Sequence, residues 1–201
     1  RQNPISGTFD TFRTIWPNLQ ARLAIVAMAV SQMAMVAVMT MTPLHMKDYG
    51  HAELSTIVIA VHVFGMFGLA PLIGRWADRF GHIRSVQSGA VILGLGTVAA
   101  VIAGYVPALI FIGLFLLGVG WSVSLIAGSA LLTASLPESE RIGAQGLADV
   151  LMSLLGAAAA FSSGFVKTIV GYEWLANFAT MAAVLILLGA IRINARLSTA
   201  H

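Results

Sequence analysis

From position 85 to position 137 the chain carries no Asp, Glu, Lys or Arg. As one helix this stretch would rise about 80 Å at 1.5 Å per residue. A single crossing needs only about 20 apolar residues to cover roughly 30 Å of hydrocarbon. The stretch therefore holds two crossings. Gly104-Tyr105-Val106-Pro107 is a turn signal that divides it into a segment over 85–104 and another over 108–135. The same reading predicts spans over 23–45, 54–73, 143–166 and 174–191. A membrane barrel strand would alternate apolar and polar residues over about ten positions, whereas these runs are apolar throughout. Backbone groups in hydrocarbon must also be satisfied within the segment. The predicted fold is an all-α membrane protein of six transmembrane helices, occupying positions 21–192.

Composition agrees. Hydrophobic residues make up 58% and charged residues 9% of the 201 positions, against roughly 25% charged in a soluble domain. The expected surroundings are a lipid bilayer. Cysteine is absent, which excludes a disulfide framework or a cysteine metal site. The net charge of +3 is carried by basic residues set singly between apolar runs, so nucleic acid is not an expected partner. Placing the N-terminus in the cytoplasm puts Arg1, Arg13, Arg22, Arg75, Arg79, Arg84, Arg141, Arg192 and Arg196 inside and only Lys47 and Lys167 outside. This asymmetry predicts a multi-pass protein of the cell membrane with both termini cytoplasmic.

Positions 1–20 read as a cytoplasmic linker or a short interfacial helix: Ile5, Phe9, Phe12, Trp16 and Leu19 recur at helical spacing, interrupted by Pro4, Gly7 and Pro17. Positions 193–201 read as a cytoplasmic tail. Small residues recur every four positions at Gly96, Ala100 and Gly104, at Gly120, Ser124 and Gly128, and at Gly156, Ala160 and Gly164. Such spacing lets helix backbones approach closely in lipid and predicts a compact bundle.

The segment after the second span reads Gly74-Arg75-Trp76-Ala77-Asp78-Arg79-Phe80-Gly81-His82-Ile83-Arg84. It resembles the loop signature G-x-x-x-D-R-x-G-R-R of the major facilitator superfamily (MFS). Gly74, Asp78, Arg79 and Gly81 stand at signature positions, His82 and Ile83 replace the two basic residues, and Arg84 follows one step later. Glycines suit a tight reversal or a close backbone approach, an aspartate suits a helix N-terminus, and arginines suit headgroups or acids across the bundle. A second segment, Pro137-Glu138-Ser139-Glu140-Arg141-Ile142-Gly143-Ala144-Gln145-Gly146, resembles the P-x-x-x-R-x-x-A-x-G loop that joins the fourth and fifth helices of a six-helix half in this superfamily.

The resemblance spans positions 20–192 and implies one half of a secondary transporter that works by alternating access. The chain begins with Arg1 and a linker-like segment, so it reads as the C-terminal half, with the N-terminal six-helix half as its missing partner. Gly74, Asp78, Arg79, Gly81, Arg84 and Arg141 would then form a conformational latch, Asp78 facing the other half. Asp149, about two turns into the fifth span, is expected to pair with Arg75, Arg79, Arg84 or Arg141 in the same latch. The alternative is a self-assembling six-helix protein, working as a homodimeric transporter or a scaffold.

The resemblance also implies that the first and fourth spans line the substrate cavity. In the first, Met28, Gln32, Met35, Met39 and Thr42 share a face; a glutamine in lipid needs a partner, and methionine adapts to irregular apolar ligands. Packing between helices with Gln32 bonded to a neighbour is the competing reading. In the fourth, Trp121 and Ser124 are expected on one face near mid-membrane, with bundle packing as the competing role. His62, mid-way along the second span, is an intramembrane ionisable group suited either to carrying a proton or to a neutral interhelical hydrogen bond. The expected small-molecule substrate is apolar or amphipathic, with efflux the expected direction. An intramembrane hydrolase would need a serine with a base at matching depth, or an acid pair. Ser129 and Ser163 lie near glycines but outside a G-x-S-G pattern, and no phosphate-binding glycine loop with lysine occurs. Neither an enzyme nor a cofactor is expected.

Overall fold

A computed structural model describes residues 11–13 and 15–199 of the chain. It comprises α1 (Leu19–Asp48), α2 (Ser55–Phe67), α3 (Ala70–Phe80), α4 (His82–Ile102), α5 (Pro107–Ala134), α6 (Glu138–Val170) and α7 (Tyr172–Ser198). Among the described residues there are six helices long and apolar enough to cross a membrane, α2 and α3 together forming the second, Ala52–Phe80. The protein is all-α. Most of the proposed interfacial segment, residues 1–10 and 14, lies outside the described residues; within the rest, Phe12 stacks on Trp16 with centroids 4.6 Å apart and Ile15 is buried.

Helix ends run beyond the apolar limits read from the sequence. The sixth helix continues through Arg192 and Arg196 to Ser198, so most of the expected tail is helical. Long arginine side chains keep their charge in water while their stems and helix stay against apolar surface. The second span is interrupted where the sequence predicted a continuous helix. Pro71 lies in the first turn of α3 and has no N–H to offer the carbonyl four residues back. The chain turns at Gly68 and Leu69, with Gly68 N bonded to the Phe64 carbonyl at 2.7 Å. At the start of α1, the Asn18 carboxamide oxygen caps the amides of Gln20 and Ala21 at 3.0 and 3.1 Å. Its nitrogen donates to the Ser135 carbonyl at 2.8 Å, tying α1 to the end of α5.

α5 is the hub. A Cβ on Gly96 would lie 2.6 Å from the Leu117 nitrogen, and one on Gly120 would lie 2.4 Å from the Leu93 nitrogen, so α4 and α5 meet backbone to backbone. On another side, Gly118 abuts the His62 carbonyl of α2, and Gly128 abuts the Met28 side chain of α1. α7 packs on α4, where Thr180 donates to Thr97 across 2.7 Å, and α6 lies along α1. Two of the four-residue patterns are only partly used for packing: Gly104 sits in the turn at φ +50, and Gly164 faces open space. The α2–α3 span and α6 are the least buried of the six. Phe64, Phe67 and Leu72 on the first, and Leu154, Phe161, Phe165 and Ile169 on the second, stand exposed.

The signature segment is helical through Phe80, so Gly74 makes no turn. The reversal is confined to Gly81, at φ 90 and ψ 145, a conformation that side chains other than glycine's adopt only under strain. Space around both glycines is open, so their effects differ by backbone alone. Gly81→Ala is expected to lower the stability of the full protein by about 1–3 kcal/mol. Gly74→Ala, in a regular helix, is expected to raise it by up to about 1 kcal/mol. Unfolding in denaturing detergent, followed by circular dichroism, reads both.

Candidate functional site

One side-chain hydrogen bond joins the two helices expected to line a cavity. Trp121 of α5 donates its indole N–H to the carboxamide oxygen of Gln32 on α1 at 2.6 Å. An amide in hydrocarbon needs a partner, and the indole supplies one while showing its ring to the helices on either side. Phe67 of α2 meets the Trp121 ring edge to face, centroids 5.9 Å apart. On the other flank is Gly156 of α6, where a Cβ would come within 3.3 Å of the Gln32 nitrogen. The pair thus sits between the two least buried spans. Among the described residues the Gln32 side-chain nitrogen has no hydrogen-bond acceptor within reach, leaving a donor beside an aromatic surface.

The other expected cavity residues are not all gathered there. Met35 is buried in the core, and Met39 is half-buried against the same cluster. Met28 is fully buried. Trp121 and Ser124 lie on one broad face of α5 but meet different helices: Ser124 borders α4, where a Cβ on Gly89 would meet its oxygen at 2.8 Å, and this hydroxyl has no partner among the described residues. Three residues is five-sixths of a helical turn, so the two side chains are offset by only about 60° and reach the neighbours on either side of that face. His62 is fully buried and donates from Nδ1 to the Leu114 carbonyl across the α2–α5 contact at 2.7 Å. It lies apart from the Gln32–Trp121 pair, in the interhelical arrangement that the sequence allowed as one of two.

At the arginine-rich end, Asp78, Arg79, Gly81 and Arg84 are all exposed. The expected pairing of Asp149 with an arginine is not formed. Asp149 accepts from the Gln145 side chain at 3.3 Å, and Gln145 accepts from Ser129 at 3.0 Å. Gln145 is one helical turn from Asp149 on the same face. Arg141 donates to the Leu136 carbonyl at 3.1 Å and so closes the turn between α5 and α6.

The opposite end holds a polar cluster that the sequence reading did not find. Thr42 of α1 and Tyr172 of α7 share a hydrogen bond of 2.9 Å. His45 stacks on Tyr172 with centroids 4.1 Å apart and donates to the Gly104 carbonyl at 3.0 Å. Lys167 of α6 pairs with Asp48 of α1, the one ion pair among the described residues. These bonds draw α1, α6, α7 and the α4–α5 turn together. The residues are 59 to 130 positions apart in sequence, so helical spacing gave no sign of them. The available clue was that Asp48 and Lys167 fall at the same end of the bundle.

Six helices in this packing, with the Asp78–Arg79 segment closing the second span, define a transporter half-bundle. The family model of the Major Facilitator Superfamily matches residues 23–198. The chain belongs to the major facilitator superfamily, whose members are transporters and not enzymes. It is 39% identical over 164 residues to the uncharacterized MFS-type transporter YddS of Bacillus subtilis (strain 168), a match covering 81% of this chain and 38% of that protein. It is also 39% identical over 152 residues to the uncharacterized MFS-type transporter YdeG of the same strain, covering 74% and 35%. The riboflavin transporter RfnT of Brucella anthropi is 31% identical over 168 residues, covering 82% and 42%. The chain therefore spans less than half the length of these relatives. It is a multi-pass membrane protein of a secondary-transport family.

Proposed function

We propose that this chain is the C-terminal half of a secondary transporter, moving a small amphipathic solute by alternating access around the Gln32–Trp121 pair. The observation that carries this is the pair itself: a buried indole covered by the exposed Phe67, with a free amide donor beside it, set between the two most exposed spans. Such a surface suits a solute with a flat apolar body and a hydrogen-bond acceptor. The riboflavin transporter among the relatives is named for a substrate of that chemical kind, which supports the class. Its length, and that of the other relatives, supports a second six-helix half as partner, meeting this one along α2–α3 and α6. Met35 and Met39, on the same helix as Gln32, pack with flexible side chains that let α1 adapt.

Asp78, Arg79, Gly81 and Arg84 form the latch at the cytoplasmic end, with Gly74 leaving open helix surface there for the other half. Arg141 holds the neighbouring turn. His62 supports the site by fixing α2 on α5, and Ser124 lies at the close α4–α5 contact beside it. The direction we propose is export from the cell, because a weakly charged solute that enters through the bilayer unaided needs a protein only to leave. The membrane is the cell membrane, with both ends of this half in the cytoplasm, as the basic residues at one end of the bundle support.

The test is a flux assay on the full protein in proteoliposomes, with flavins, lipophilic cations and sugars as solutes. Movement of flavins or lipophilic cations, with sugars excluded, is expected. Selective sugar movement would contradict the proposed solute class.

A further inference from the structure

We propose that the groove between the arginine-rich ends of α1 and α7 binds an anionic phospholipid. The groove encloses about 320 Å³ and is lined by two facing stripes. Leu19, Arg22, Leu23 and Val26 stand on α1, and Leu185, Gly189, Arg192 and Arg196 on α7. On each helix these positions recur at three- and four-residue steps, which puts them on one face. Trp16 stands at the mouth, 36% exposed, with the Arg22 guanidinium 5.8 Å from its ring centroid.

Charge and shape select the occupant. Arg22, Arg192 and Arg196 line the same end of the groove, and none has an acidic partner among the described residues. No Asp or Glu among those residues lines the groove. Three guanidinium groups with no counter-charge match a phosphodiester, which arginine binds through paired N–H donors. Below them the lining is apolar: Leu185 lies seven residues from Arg192, about 10 Å deeper into the bilayer. A Cβ on Gly189 would meet nothing within 4 Å, so the floor is open at the depth where an acyl chain leaves its headgroup. Basic pockets between transmembrane helices at headgroup level recognise anionic lipids in this way. The inference needs only the membrane-spanning fold and stands apart from the proposed solute.

The test is native mass spectrometry of the full transporter carrying this chain, equilibrated with equal amounts of phosphatidylglycerol and phosphatidylcholine. Preferential retention of phosphatidylglycerol is expected. Arg192→Gln and Arg196→Gln should each lower its retention about fivefold, and Arg75→Gln, a basic residue away from the groove, should not. Gly189→Leu fills the floor without changing charge and should lower retention as well; Val26→Phe fills it from α1 if the first variant proves unstable. Equal retention of the two lipids would overturn the proposal. So would equal loss with Arg75→Gln, or loss in the arginine variants with retention untouched when the floor is filled. Complete displacement by soluble glycerol phosphate would also overturn it, since the headgroup alone would then be the ligand.

Discussion

Replacing Gly120 by valine should remove most of the folded protein. A Cβ at this position would lie 2.4 Å from the Leu93 nitrogen and 2.6 Å from its Cα. Both are backbone atoms of a regular helix and cannot rotate away, so α4 must separate from α5 along a contact that Gly96 and Gly113 continue. Overpacking a well-filled core costs about 1–3 kcal/mol, and more where the clash is with backbone. We expect at least about 3 kcal/mol here. Gly94→Ala makes the control, because a Cβ there would lie 3.6 Å from the Ala183 Cβ, an ordinary contact inside this half, and only helix propensity changes, by about 1 kcal/mol. The recovery of monodisperse full protein by size-exclusion chromatography, with unfolding in denaturing detergent, separates the two. Equal yields would mean that α4 and α5 are not in the contact described.

The second large effect belongs to Trp121. Its indole holds Gln32 and faces Phe67, so it contributes to both the proposed solute surface and the packing of three helices. Trp121→Ala would open a cavity and confound the two roles, since such truncations cost about 3–5 kcal/mol of stability. Trp121→Phe is the informative change. It keeps an aromatic face, removes the indole N–H and frees the Gln32 oxygen. We expect the folded yield to hold while KM for the transported solute rises about tenfold, equivalent to roughly 1.4 kcal/mol of lost binding. Gln32→Leu should raise KM similarly and also leave the indole N–H unpaired. A fall in maximal rate alone, with KM unchanged, would assign the pair to helix packing.

The fold was largely legible because lipid imposes a simple rule: stretches without charge must be long, helical and numerous enough to account for the chain. The 85–137 stretch and its turn at Gly104 show this directly, and Gly96 and Gly120 do pack backbone on backbone as their spacing implied. What the rule could not show was where a helix stops. Pro71 breaks the second span without any charge to mark it, and Arg192 and Arg196 fail to end the sixth, because arginine tolerates the interface. The site was legible only in part. Gln32 and Trp121 were expected separately, each on a helix lining the cavity, and their hydrogen bond follows from how those helices cross. Ser124 borders α4 while Trp121 bonds α1, because α5 has neighbours on three sides, so residues on one broad face serve different helices. The Thr42–Tyr172 and Asp48–Lys167 contacts lie beyond any reading of local spacing, since each depends on which helix ends meet.

Alternating access around the Gln32–Trp121 pair can be tested by labelling a single cysteine. This chain has no cysteine of its own; the full protein can be freed of any others and given Phe67→Cys, a position that is exposed and beside Trp121. Met181→Cys on α7 is the control, exposed in the bundle but on a surface expected to face lipid. A membrane-impermeant maleimide is applied from each side of oriented vesicles, with and without transported solute. Cysteine 67 should react from both sides, with the ratio of the two rates shifted by solute, while cysteine 181 reacts from neither. Reaction of cysteine 67 from one side only, or from neither side under every condition, would contradict an alternating cavity at this site.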